Sequence, residues 1–123
     1  MQVLIVDGAN VVGSRPDGWW RDRPGAALRL HAQLAAADLP QDEIVLVLEG
    51  AATRGVPAEQ DRRVRTVHAP GSGDDTIVEL ARAYVDAAED NEVVVVTADR
   101  VLRQRVEALG ARCVGPSWLL DRL

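Results

Sequence analysis

Short, continuous apolar runs, separated by segments of helical period, constrain this chain more than any other feature. Val3–Val6, Ile44–Leu48, Val64–His68, Val93–Thr97 and Arg112–Val114 read as strands, and four of the five are rich in Val or Ile. Runs without polar alternation are those of strands buried on both faces. Between them, Pro24 opens a helix with Ala27, Leu30 and Leu34 along one side, ending before Pro40. Ile77, Leu80, Ala81, Tyr84, Val85 and Ala88 form an i, i+3, i+4, i+7 stripe. Leu102, Val106 and Leu109 form another, closed by Gly110 as a left-handed cap, and a last short helix starts near Ser117. The linker from the second to the third strand leaves room only for a small helix around Pro57–Arg62. Strand alternating with helix predicts an α/β domain with a mostly parallel five-stranded sheet and helices on both faces. With 123 residues, 47% of them hydrophobic, and no repeat or linker, residues 1–123 read as one domain.

Composition narrows the setting. No apolar run approaches the length needed to cross a bilayer. The first residues have the pattern of a strand and not of a secretory signal, and the lone Cys113 fits a reducing compartment, so a cytoplasmic location is expected. The net charge of −5 does not announce a nucleic-acid binder. Its distribution is uneven, however: Asp74–Glu92 is strongly acidic, whereas Arg54, Arg62, Arg63 and Arg65 cluster, as do Arg100, Arg103 and Arg105. Every basic residue is Arg, whose planar fork suits phosphate, although codon bias explains the absence of Lys as well.

In open α/β sheets ligands bind beyond the carboxyl ends of the strands. Asp7 follows the first strand, Glu49 the second, Asp74 and Asp75 the loop after the third, and Asp99 the fourth. The strand assignment therefore puts all five acids on one edge. Each has an ordinary role taken alone: Asp7 as a turn residue, Glu49 as an exposed strand end, and Asp74, Asp75 or Asp99 as helix caps. None of those roles requires convergence. Two carboxylates about 5 Å apart repel by about 3 kcal/mol at an effective dielectric near 20, so a converged set calls for a proton or a cation. Oxygen ligands of this kind suit Mg²⁺ or Mn²⁺. His31, His68 and Cys113 have no zinc-ligand spacing. Gly71-Ser72-Gly73-Asp74-Asp75 lacks the Lys of a phosphate loop and the third Gly of a dinucleotide fingerprint. Ser14, Ser72 and Ser117 lack a triad arrangement, and Ala9 stands where an aspartate-nucleophile phosphatase would carry its second Asp.

The ordered set Val6-Asp7-Gly8-Ala9-Asn10-Val11-Val12-Gly13, Leu48-Glu49-Gly50, Gly73-Asp74-Asp75-Thr76 and Val96-Thr97-Ala98-Asp99 resembles the motifs of the NYN branch of PIN-like nucleases, in particular the bacterial YacP-like group. That resemblance implies a three-layer, Rossmann-like PIN fold with strand order 3-2-1-4-5. It also implies metal-dependent hydrolysis of RNA, with Asp7, Asp75 or Asp74, and Asp99 holding Mg²⁺ or Mn²⁺. Glu49 would support them, and Asn10 would orient a carboxylate, a water or a phosphate. The chain departs from the family pattern at Ala9, where an aromatic is common, at Glu49, where Asp is common, and at Val101, where a further acid would favour a second ion. Arg15, Trp19, Arg54, Arg62, Arg65 and Arg100 are candidate RNA contacts, since aromatics interleaved with Arg can stack bases. Trp19 and Trp20 serve equally as core cover or as a homodimer contact. Ribosomal or RNA-processing partners fit the same resemblance. A non-catalytic RNA- or protein-binding domain and a PIN-type toxin remain the alternatives.

Overall fold

The computed structural model describes all of residues 1–123. Six strands form one sheet: β1 (Gln2–Asp7), β2 (Glu43–Leu48), β3 (Gln60–Asp61), β4 (Val64–His68), β5 (Glu92–Val96) and β6 (Arg112–Val114), in the order β3-β4-β2-β1-β5-β6. All pairs are parallel except β3 with β4. The five expected strands thus hold the expected order, and β3 is an addition at the edge. It replaces the small helix expected around Pro57–Arg62. Arg62 adopts a left-handed φ of 56° that folds Gln60–Asp61 back on β4 as a tight hairpin. The turn of helix in this linker comes earlier, as a short 3-10 helix over Gly50–Gly55.

The helices are α1 (Gly8–Gly13), α2 (Arg23–Ala36), α3 (Gly73–Ala87), α4 (Arg100–Glu107) and α5 (Pro116–Leu120). Their ends follow local chemistry. Asp22 caps α2, with Pro24 in its first turn. Ser72 caps α3 through the amide of Asp74, and Asp99 caps α4 through the amide of Leu102. Gly110, at φ 100°, closes α4 with bonds from Gly110 N to Glu107 O and from Ala111 N to Val106 O, the paired pattern of a Schellman cap. Only α1 has no counterpart in the apolar spacing, because six residues are too few to show a period.

Strand parity divides the core into two layers. Leu4, Val6, Ile44, Leu46 and Leu48 face α1, α2 and α5, meeting Val11, Leu30, Leu34 and Leu119. Val3, Ile5, Val45, Val47, Val93 and Val95 face α3 and α4, meeting Ile77, Ala81, Leu102 and Val106. Successive side chains of a strand alternate between faces, so the parity continued past the last valines carries Asp7, Glu49 and Thr97 onto the α3/α4 side. No helix is long and apolar enough to cross a membrane.

Candidate active site

Asp7 sits at the centre of the carboxyl edge and is only 6% exposed. In register, Val6 stands beside Val96, so the next residues, Asp7 and Thr97, are neighbours. The Thr97 hydroxyl donates to Asp7 Oδ2 at 2.9 Å, and the amide of Asn10 donates to Asp7 Oδ1 at 3.3 Å. Thr97 Oγ1 in turn accepts from the amide of Asp99 at 3.2 Å. One fully buried threonine therefore joins the acid of β1 to the acid that opens α4. Thr97 was not among the residues singled out from sequence. Its signal is a hydroxyl at the end of an unbroken valine run, the one polar side chain in an otherwise apolar strand end.

Glu49 extends from β2 and accepts from the amide of Gly73 at 3.0 Å, tying the strand end to the start of α3. Asp74 and Asp75 occupy the first turn of that helix. Each helical residue turns about 100° from the last, so the two acids diverge. Asp74 lies in the field of Asp7, Glu49 and Asp99. Asp75 faces α4 instead, where its carboxylate pairs with Arg105 at 3.0 Å. Asp7, Glu49, Asp74 and Asp99 thus lie within one another's field at this edge, while Asp75, the expected member of the pair, is turned to Arg105.

Electrostatics reflect the crowding. Burial is the main reason that the Asp7 carboxyl lies above its ordinary range; Thr97 and Asn10 pull it back, and Asp74 and Glu49 push it further up. The Asp74 carboxyl is also raised, first by burial and then by Asp99 and Glu49, with Arg105 opposing. No three His, Cys, Asp or Glu side chains stand close enough to hold one ion among themselves. The donor chemistry nevertheless fits a hard divalent ion, because a buried carboxylate among like charges gains from a cation. It fits the manner in which Mg²⁺ is commonly held, by one or two carboxylates with water and substrate phosphate completing the shell.

Asn10 plays a positioning part. Its Oδ1 accepts from the amide of Ala98 at 2.8 Å, which fixes the side-chain orientation because a backbone N–H can only donate. Asn10 thereby clamps α1 to the loop before Asp99.

The candidate RNA contacts are scattered. Arg100 begins α4 beside Asp99, and Arg54 lies in the 3-10 helix that leaves the carboxyl end of β2. Arg15 bonds Gln33 of α2 at 2.6 Å. Trp19 packs on the core, and Trp20, 56% exposed, meets it edge-on at 5.9 Å. Arg62 and Arg65 do not reach this edge. Arg62 forms the hairpin turn at the amino end of β4, and Arg65 lies near Tyr84, which is about 15 Å along α3 from Asp74. Neighbouring Arg63 donates to the carbonyls of Leu39 and Gln41, holding the loop after α2. His68 is also structural, its Nε2 lying 2.7 Å from Val56 O.

No protein-family model matches the chain, and no curated relative does. Among the solved structures that share its architecture are two of Rae1 (YacP) from Bacillus subtilis. One, a single-residue mutant, is 21% identical with a TM-score of 0.78 over 98% of this chain and 74% of that one. The other is 20% identical with a TM-score of 0.72 over 98% and 72%. At such identity the likeness concerns the fold, and YacP is also the name of the group whose motifs the sequence resembles. The chain has the α/β fold of these structures.

Proposed function

We propose that the chain is a divalent-metal-dependent ribonuclease that hydrolyses phosphodiester bonds of RNA, endonucleolytically, at the carboxylate cluster. The observation that carries this reading is Asp7. It is a buried acid whose hydrogen-bond partners, Thr97 and Asn10, are neutral, and whose charged neighbours, Asp74 and Glu49, are acids. Such an arrangement costs stability unless a cation offsets it. Asp7 and Asp74, with Asp99 beside them, would hold Mg²⁺ or Mn²⁺, and Glu49 would steady the loop that presents Asp74. Bound there, the ion would supply a water acidified enough to attack phosphorus and would offset charge on the attacked phosphate. The chain's own part is positioning. Thr97 orients Asp7 and the backbone of Asp99 together, and Asn10 holds the intervening loop. Arg54 and Arg100 supply positive charge along the same edge for single-stranded or structured RNA.

The test is cleavage of RNA by purified protein with Mn²⁺. Asp7→Asn should lower the rate by at least about 100-fold. Cleavage by that variant at the parent rate would sink the assignment.

A further inference from the structure

A cavity of about 350 Å³ opens beside the carboxylates, lined by Ala9, Val12, Trp19, Arg23, Leu48 and Glu49 among others. Val12 and Leu48 are buried members of the α1/α2 core, and Trp19 packs against them, so the floor is apolar. The charged groups of the lining are Arg23 and Glu49. The guanidinium of Arg23 stands 5.3 Å from the Trp19 ring centre. The cavity borders the acidic site across the sheet edge: Gly8, which also lines it, directly follows Asp7, and Glu49 belongs to both places.

We propose that this cavity is a nucleobase subsite, taking one base of the strand whose phosphate lies at Asp7, and preferring a base that turns an amino group toward Glu49. The strand's placement rests on the ribonuclease reading; the recognition of a base does not. A base is a flat, largely apolar plate with a polar rim. An apolar floor with an aromatic wall suits its faces, and stacking on an aromatic is sequence-tolerant. The volume is at the small end of ligand cavities, about 300–1,000 Å³, which is room for one nucleoside. Ala9 lines it with a single methyl group, so a large side chain at that position has the cavity within reach. Glu49 sets the preference, because an ionised carboxylate only accepts. The amino groups of cytosine, adenine and guanine satisfy it. Uracil instead flanks its single N–H with two carbonyl oxygens, which a carboxylate repels. Arg23 adds a cation at the rim for the strand's backbone.

Cytidine and uridine differ at this edge and carry no phosphate to be repelled by the acids. Both are titrated into the full chain in EDTA, following amide and indole resonances. Cytidine should shift the Trp19 indole and the amides of Ala9 and Gly50, and uridine should bind more weakly. Ala9→Tyr, at an exposed position, and Arg23→Ala should each retain the parent's amide dispersion. Ala9→Tyr should weaken cytidine binding about tenfold or more, and Glu49→Gln should narrow the gap between the two nucleosides. On RNA, Ala9→Tyr should lower kcat/KM by about 10- to 100-fold, mostly through KM. No shift at Trp19, unchanged binding by Ala9→Tyr, or uridine binding as tightly as cytidine would each overturn the subsite. Since the titration uses neither metal nor hydrolysis, cytidine binding without RNA cleavage would overturn the ribonuclease reading and leave the subsite standing.

Discussion

Thr97 shows how much one hydroxyl can organise. It is wholly buried, donates to Asp7 and accepts from the amide of Asp99, so both its donor and an acceptor site are used. Valine matches its shape but can do neither, and would leave a buried carboxylate oxygen without its partner. Outer partners of metal-binding groups commonly matter by 10–100-fold in affinity or rate. Thr97→Val should therefore lower Mn²⁺-dependent cleavage by about 10–100-fold, with Thr97→Ser retaining most of it. Equal rates for the valine and serine variants would show that the hydroxyl has no part. At the same scale, Asp99 fills two roles at once. Its Oδ1 caps α4 at 2.9 Å while its charge raises the Asp74 carboxyl, so the ordinary cap and the site residue are one group.

Among elements, α1 is the piece that brings β1 to the site, and Gly8 is what allows it. A Cβ at Gly8 would stand 2.6 Å from the carbonyl oxygen of Val47 and 2.8 Å from Leu48 Cδ2. The backbone of the helix start lies directly on β2, and that oxygen belongs to a central strand that cannot yield easily. Gly8→Ala should cost about 1–3 kcal/mol, as overpacking does, read as a lower urea midpoint with an unchanged slope. A neutral or stabilising result would mean that the strand–helix junction is looser than this packing. The junction was legible in the sequence only as Asp7-Gly8, a pair that reads equally well as a turn. The larger helices were legible because their apolar stripes run for two turns or more. The acids of α3 were legible as a pair but not as individuals. Which of Asp74 and Asp75 faces β1 depends on the angle at which the helix lands on the sheet, and that is set by Ile77, Val78 and Ala81 packing on Val3, Ile5, Val45 and Val47.

For the whole molecule, the cost of collecting acids on one edge should be visible in its pH dependence. Asp7 and Asp74 titrate above the ordinary carboxyl value of 3.8, chiefly through burial. A group that binds its proton more tightly when folded contributes stability that is complete below the unfolded value and is lost as pH rises through the folded one. In EDTA, the parent should therefore gain stability relative to Asp74→Asn as pH falls from neutral towards 3.8. Millimolar Mg²⁺ at neutral pH should raise the Tm of the parent more than that of the variant. A gap between the two that ignores both pH and Mg²⁺ would mean that Asp74 is not part of a shared acidic field.

The order of the five main strands was expected from the resemblance of the motifs, whereas the sequence by itself determined the alternation of strand and helix and the edge on which Asp7, Glu49, Asp74 and Asp99 lie. These follow from local period and from the rule that residues just past a parallel strand share its carboxyl end. Tertiary structure alone decided which carboxylates face one another, because side-chain direction depends on helix rotation and strand register. Thus Asp75 turned to Arg105 and Asp74 to Asp7. Arg62 and Arg65 stand at the amino end of β4, away from the acids; the tight, local hairpin that Arg62 turns there has no apolar period to announce it. Thr97 became the link between two strand ends only once β5 lay in register beside β1.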